Sequence, residues 1–391
     1  MTPHRRVALD ARRIHGNRRG VGQYVCQLAK WLPLVDDSID FVLFVDHPIP
    51  EGLVPEGCSV AVVGGREDHA RSQSKSGVGD KLWSLYWMNL LLPPILRRER
   101  IDLFHATNFA MPLLGKFPTV VTVHDLIYAR APGAFEKSYE MYLGLVVPAA
   151  AKRARHVIVD SESTRRDLVD LVDISPDRAT AIHLAMGEEY SPLQEETYLE
   201  EVRQKLELPD RYVLHVGAIE RRKKLDVLLH ACARLFRTGL LDRVVLAGEE
   251  GYGAEAVWNT ARNLGIMERV QHLGYVDTDL LPGLYRLAMV LSLASVYEGF
   301  GMPVLEAMAC GTPAVVSNVS SLPEIAGDAA LAVPPGDVPS LSDALERLLT
   351  DNELRRAMVA RGLRRTESFS WERTARDHVA VYRRVLDGQS S

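Results

Sequence analysis

The chain has no run of about 18 apolar residues, so no segment reads as a membrane-crossing helix. Its first residues, MTPHRRVALDARRIHG, are basic but have no apolar core, which excludes the secretory-signal pattern. A cytoplasmic protein is expected. Cysteine is scarce. Cys26, Cys58, Cys232 and Cys310 are scattered singly through 391 residues. With no C-x-x-C pair and no Cys/His cluster, neither a zinc site nor a disulfide framework is indicated. Cys26 and Cys310 lie in apolar helical contexts and read as small core residues. An excess of positive charge is missing too. Residues 1–190 carry 23 basic and 23 acidic side chains and the remainder 23 and 28, for a net charge of -5. Nucleic acid is therefore not an expected partner.

What the chain does have is short apolar runs, each followed by a helical pattern. RRVALDA, FVLFVD, CSVAVVGG, IDLFHA, TVVTVHD and HVIVDS read as strands. They are rich in Val, Ile and Leu without strict alternation, as strands covered on both faces of a parallel sheet are. The pattern lapses in MGEEYSPLQEETYLEE and restarts with YVLHVG, RVVLAG, VQHLG, MVLSLAS and PAVVS. The expected fold class is α/β: two tandem Rossmann-like, doubly wound domains, residues 1–186 and 203–370, with sheet ends facing a cleft. Three helical segments close the chain. The polar, patternless stretch 64–81 reads as a surface insertion or as a lid. LWSLYWMNLLLPPILRR (82–98) reads as a core helix, or as one touching a membrane surface.

The densest chemistry is in SVYEGFGMPVLEAMACGTPAV, residues 295–315. Glu298 would stand at the carboxyl end of a strand, and Pro303 suits the first turn of a helix that carries Glu306. Gly299 and Gly301 leave the backbone bare where the helix dipole begins, which favours a phosphate. Two carboxylates would repel that phosphate but accept hydrogen bonds from hydroxyls attached to it. An ordinary acidic helix start would share some of these features. The glycine turn and the CGTP that follows narrow the reading to a nucleotide sugar. Arg222 and Lys223, in the cluster ERRKK after YVLHVG, supply cations for a diphosphate, although such clusters also occur as solvated helix starts. Gly20 and Gly22 open the first helix without the third glycine of G-x-G-x-x-G, so they read as a phosphate- or acceptor-facing loop. His105, Asn108, His124 and Asp125 follow predicted strands and read as sugar or acceptor contacts, or as structural polar groups. Asp277-Thr278-Asp279 is a literal D-x-D. It directly precedes an apolar helix, so Asp277 or Thr278 reads as an N-cap and no metal site is expected.

Together these residues resemble the retaining nucleotide-sugar glycosyltransferases of family 4, which have the GT-B fold. The segment 297–337, YEGFGMPVLEAMACGTPAVVSNVSSLPEIAGDAALAVPPGD, carries most of the resemblance. RRGVGQY, FHATN, VTVHDL and SESTRRDL are similar to mannosyltransferases that build bacterial polysaccharides. The resemblance implies transfer of a hexose, mannose from GDP-mannose, to a glycan or lipid-linked acceptor with retention of configuration. It implies no cofactor and no metal, and allows peripheral membrane contact. By the same resemblance Glu298 would contact the hexose, with the backbone of Gly299, Phe300 and Gly301 near hexose and diphosphate. Glu306 would hold the ribose hydroxyls, Lys223 and Arg222 would neutralise the diphosphate, and His124 would lie beside the transferred sugar. Tyr275 and Val276 would frame the base, and the last helix, 371–388, would pack back onto the first domain. Relatives often carry an arginine where this chain has Ala218, so that phosphate contact would be absent or supplied by Arg222. A GT-B nucleotide-sugar epimerase, a phosphorylase and a non-catalytic sugar-nucleotide binder are the alternatives.

Overall fold

The computed structural model describes residues 4–15, 20–49, 54–64, 83–114 and 117–388. Residues 65–82, which hold nearly all of the expected lid, lie outside them. Two compact units emerge. One comprises residues 1–126, 141–184 and 371–391; the other comprises 127–140 and 185–370. Residues 127–140, expected in the first domain, belong to the second. There Ile127 and Ala134 pack with Tyr297.

The first unit holds β1 (Arg5–Asp10), β2 (Ile39–Val45), β3 (Cys58–Val62), β4 (Leu103–Ala106), β5 (Thr119–Val123), β6 (His156–Val159) and β7 (Ala179–Ala181). They form one sheet in the order β3-β2-β1-β4-β5-β6-β7, with every pairing parallel. The second unit holds β8 (Tyr212–Val216), β9 (Arg243–Ala247), β10 (Val270–Gly274), β11 (Val290–Leu293), β12 (Ala314–Ser317) and β13 (Ala330–Val333). Their order, β10-β9-β8-β11-β12-β13, is again parallel throughout. Each sheet reverses direction once, between β1 and β4 and between β8 and β11. Ligands of doubly wound sheets bind beyond the carboxyl ends at such a reversal.

Strand composition explains the layering. Successive β8 residues Val213 and Leu214 are both fully buried but enter different core clusters. Opposite faces of the strand are thus each covered by helices, which requires apolar residues at consecutive positions. The helix Leu225–Arg237 shows the complementary pattern. Leu225, Leu228, Leu229, Cys232 and Leu235 are buried at helical spacing, and Arg234 and Arg237 lie on the other side.

Several local expectations change. β7 and β13, both at sheet edges, are absent from the sequence-based strands because three or four short residues without a Val/Ile-rich run leave little pattern. LWSLYWMNLLLPPILRR is not one regular helix. A π-helical turn, Trp87–Leu91, precedes Leu92–Arg98, and the Leu92 N–H donates to Trp87 O. Pro93 and Pro94 have no N–H to continue the ordinary ladder, and the wider turn accommodates them. Trp87, Met88, Leu92 and Leu96 are buried, whereas Tyr86 and Leu90 are exposed. No helix among the described residues is long and apolar enough to cross a membrane.

The helix Trp371–Leu386 lies in the first unit, packed against the helix Val21–Val35. A buried polar chain ties it there, and partner chemistry orders every proton in it. His378 Nδ1 donates to Thr374 O (2.7 Å), so His378 Nε2 accepts from Tyr24 Oη (2.7 Å). Tyr24 then accepts from Thr122 Oγ1 (2.9 Å), which accepts from His105 Nε2 (2.8 Å). His105 Nδ1 in turn accepts from Tyr382 Oη (2.7 Å). Both imidazoles are neutral in this order. Burial pushes both pKa values down, that of His378 to about 4. Tyr382→Phe would leave His105 Nδ1 buried without a donor, at a cost of about 1–3 kcal/mol. A urea-unfolding midpoint unchanged from that of the parent would contradict this chain of bonds.

Candidate functional site

The second reversal point gathers the charged residues singled out in the sequence. β8 runs into Gly217 and then the 3₁₀ turn Arg221–Lys223, while β11 runs into the loop that carries Glu298. The two loops are joined by the Val296 N–H, which donates to Arg222 O (3.0 Å). Lys223 Nζ then lies 2.6 Å from Glu298 Oε1, and Arg222 Nη1 3.2 Å from Oε2. Ser295 Oγ donates to Glu298 Oε1 at 2.5 Å, and Arg222 Nε pairs with Glu220 Oε2 at 2.8 Å. The carboxylate is thus clamped between two cations and a hydroxyl, with Glu298 8% and Lys223 6% exposed.

Burial by itself would raise the Glu298 pKa. Lys223, Arg222 and the hydrogen bonds outweigh it and hold the carboxyl at about 2. Burial also lowers the Lys223 pKa from its ordinary value, partly offset by Glu298. An ammonium carries three donors, of which Glu298 takes one. Glu298, expected to read a hexose, is therefore also the counter-ion of both cations.

The turn after Glu298 is held from the next loop. The Glu298 N–H donates to Ser320 Oγ (2.9 Å), and Ser321 Oγ donates to the carbonyls of Glu298 (2.9 Å) and Phe300 (2.7 Å). Gly301, at φ 114°, is the N-cap of the helix Met302–Ala309 and has no side chain to block the approach to its start. Phe300 is buried edge-on against Phe369. Glu306 is half-buried on this helix, and Tyr285 Oη donates to its Oε2 (2.6 Å). Beside these loops the ends of β8 and β9 nearly touch. A Cβ on Gly248 would collide with the Gly217 carbonyl, so the close approach of those backbones needs a glycine there. Tyr275, half-exposed, and Val276, buried, follow β10 at φ-positive Gly274.

The D-x-D stretch does not cap a helix with a side chain. The helix runs Leu281–Leu287 with Leu280 as N-cap, and Asp277 contributes only its main-chain oxygen, to Leu280 N (3.0 Å). Pro282, in the first turn, suits a start there and not at Thr278.

In the first unit, His105 lies inside β4 and not at its end, fully buried in the polar chain to Tyr382. It lines no sugar pocket in this arrangement, and its role is to hold the last helix. Asn108 caps its own loop through Oδ1 to Phe109 N (3.1 Å). Gly20 is the exposed N-cap of the helix Val21–Val35, at φ 53°, and Gly22 is buried in its first turn. His124 follows β5. Its Nδ1 lies 2.8 Å from Asp160 Oδ2 and its Nε2 2.9 Å from Thr107 O. A carbonyl only accepts and a carboxylate accepts, so both nitrogens donate and the ring is an imidazolium. Burial opposes this charge, but Asp160, Thr107 and Asp125 outweigh it and raise the pKa. The Tyr24 ring stands edge-on to His124 at 5.1 Å.

Glu220, Ser295, Ser320, Ser321, Tyr285 and Asp160 were given no role in the sequence. Ser295, three residues before Glu298, and Glu220, two before Arg222, had a local signal; the others arrive from separate elements.

Comparison with known proteins identifies the family and the fold. Residues 18–186 match the model of Glycosyltransferase Family 4, and residues 199–365 that of Glycosyl transferases group 1. Over 290 residues the chain is 32% identical to O-antigen chain mannosyltransferase B of Escherichia coli, covering 74% of this chain and 76% of that one. The chain belongs to this glycosyltransferase family. It is also 31% identical over 280 residues to serotype-specific mannosyltransferase WbdA of Escherichia coli, which covers 68% of this chain but only 34% of that protein. Sucrose-phosphate synthase from Thermosynechococcus elongatus superposes with a TM-score of 0.76 at 22% identity, covering 98% of this chain and 100% of that one. Anabaena HepE, solved with UDP and glucose, gives 0.73 at 18%, covering 97% and 99%. These structural neighbours establish the GT-B fold of this glycosyltransferase.

Two measurements check the electrostatics. Glu298 ionises at about 2 in the fold against 4.5 for an ordinary glutamate, so its pairing stabilises fully above pH 4.5. That contribution, about 3 kcal/mol, is lost as pH falls from there toward 2. Glu298→Gln is expected to flatten the stability–pH slope in that window; an unchanged slope contradicts the pair. For His124, ¹⁵N NMR at pH 7 is expected to show both ring nitrogens protonated, and Asp160→Asn to restore a neutral ring.

Proposed function

We propose that this glycosyltransferase moves a mannosyl residue from GDP-mannose to a hydroxyl of a glycan or lipid-linked acceptor, with retention of configuration, in bacterial polysaccharide assembly. The observation that carries the reading is the buried Lys223–Glu298–Arg222 cluster at the β8/β11 reversal, beside the helix start at Gly301. Likeness to an O-antigen mannosyltransferase supports the choice of sugar and acceptor class.

In this reading the bond from the anomeric carbon to the diphosphate breaks while the acceptor oxygen bonds to the same face of the sugar. The acceptor's proton passes to an oxygen of the departing diphosphate. Lys223, Arg222 and the first N–H groups of the helix Met302–Ala309 receive the developing negative charge. These fixed cations can fill the role of a divalent ion, so the reaction is proposed to need neither metal nor cofactor. The diphosphate competes with Glu298 for Lys223, and Glu298 turns to the hexose hydroxyls as it is displaced. Glu306 accepts from the ribose hydroxyls, the backbone at Gly299, Phe300 and Gly301 approaches hexose and diphosphate, and Tyr275 and Val276 border the base. Gly20, Gly22, Asn108, Asp125 and His124 are proposed for the sugar and acceptor side. His124 contributes fixed positive charge there and not a base, since both its N–H groups are already engaged. Exposed Tyr86 and Leu90 suit peripheral contact with the cytoplasmic membrane surface that bears a lipid-linked acceptor.

The test is chelator-treated enzyme assayed with GDP-mannose, UDP-glucose, UDP-N-acetylglucosamine and GDP-fucose. GDP-mannose alone is expected to turn over. Lys223→Ala should lower kcat about 100-fold or more, and Glu306→Ala should weaken donor binding about 10-fold. Full activity in both variants would sink the assignment of the site. Turnover of GDP-mannose to another nucleotide sugar without an acceptor would favour an epimerase.

A further inference from the structure

Tyr285 is a fully buried aromatic, and packing alone would be served as well by phenylalanine. Its hydroxyl nevertheless reaches a site carboxylate, Glu306 Oε2, at 2.6 Å from a separate helix. Burial, then Glu306, push the phenol pKa well above its ordinary value, so the group stays a donor across the working range of pH. The ring is held on several sides. Tyr212 Oη donates to Leu284 O (2.7 Å), which fixes the helix Leu281–Leu287 to β8. Tyr190 stands edge-on to Tyr285 at 6.0 Å. Thr312 Oγ1 donates to Tyr285 O (2.6 Å), while the Thr312 N–H donates to Ala307 O (2.8 Å), one residue beyond Glu306.

Thr312 therefore clips the helix bearing the phenol to the helix bearing the carboxylate, which gives a role to the otherwise unexplained CGTP motif. A half-buried glutamate keeps several rotamers unless something holds it. Recognition of a vicinal diol needs the carboxylate plane set before the ligand arrives. We infer that Tyr285 is a positioning residue that orients the Glu306 carboxylate toward a ribose diol, with Thr312 setting the register of Tyr285 against Glu306. The inference rests on Glu306 as the ribose contact.

Titration calorimetry of the parent, Tyr285→Phe, Thr312→Val and Glu306→Ala with GDP and with 2′-deoxy-GDP separates the two ideas. Tyr285→Phe is expected to weaken GDP binding about 10-fold and to bring the ribo/deoxy preference down to that of Glu306→Ala. Thr312→Val should move in the same direction by less, and both losses should appear in donor KM and not in kcat. If Glu306→Ala loses the ribo/deoxy preference while Tyr285→Phe and Thr312→Val keep it, the positioning role is wrong and the ribose reading stands. If Glu306→Ala itself keeps the parent preference, the ribose reading falls and the positioning role falls with it. Should Tyr285→Phe not fold, Thr312→Val decides by the same ratio.

Discussion

The ion pair between Lys223 and Glu298 is the constraint on which the loops of the second unit depend. Two charges taken out of water are costly unless each is matched and hydrogen-bonded. Here the match is nearly complete. Glu298 is met by Lys223, Arg222 and Ser295, and Arg222 is met again by Glu220. Removing Glu298 would strand the buried Lys223 ammonium, and the Val296 N–H bonds to Arg222 O, so the loops after β8 and β11 are held as one object. The same cluster is what an incoming diphosphate would have to reorganise, which links the stability of these loops to the proposed chemistry.

Everything around that pair follows from sheet geometry. Parallel strands with helices on both faces deliver all their carboxyl ends to one edge, and the reversal between β8 and β11 separates the helices that follow them. Lys223 and Glu298 are 75 residues apart in the chain and meet because their strands are neighbours. Backbone can come this close at the strand ends only where a side chain is absent, as at Gly248 against the Gly217 carbonyl. Two serines of the loop after β12 then secure the glycine turn through its own peptide groups.

The first unit uses histidine in two opposite ways. His105 lies between two hydroxyls and His378 between a carbonyl and a hydroxyl; a hydroxyl can either give or take a proton, and burial keeps both rings neutral. His124, with a carboxylate on one nitrogen and a carbonyl on the other, is forced to carry charge. Residue type alone is the same in all three. The orientation and identity of the neighbouring acceptors make the difference.

By itself the sequence determined the α/β class and the restart of the strand–helix series after the polar stretch near residue 186, and it singled out Glu298, Glu306, Arg222 and Lys223 as candidates. These features are local. Apolar periodicity, a glycine turn before a proline and a cation cluster after a strand can each be read within about ten residues. The partners of those residues were decided only by tertiary structure. Nothing near Glu298 announces that Lys223 neutralises it, nothing near Glu306 points to Tyr285, and His105 looked like a site residue until its strand was seen to continue past it. Hydrogen bonds and charge pairs depend on distance in space, and a parallel sheet brings together residues that its crossover helices hold far apart in the chain.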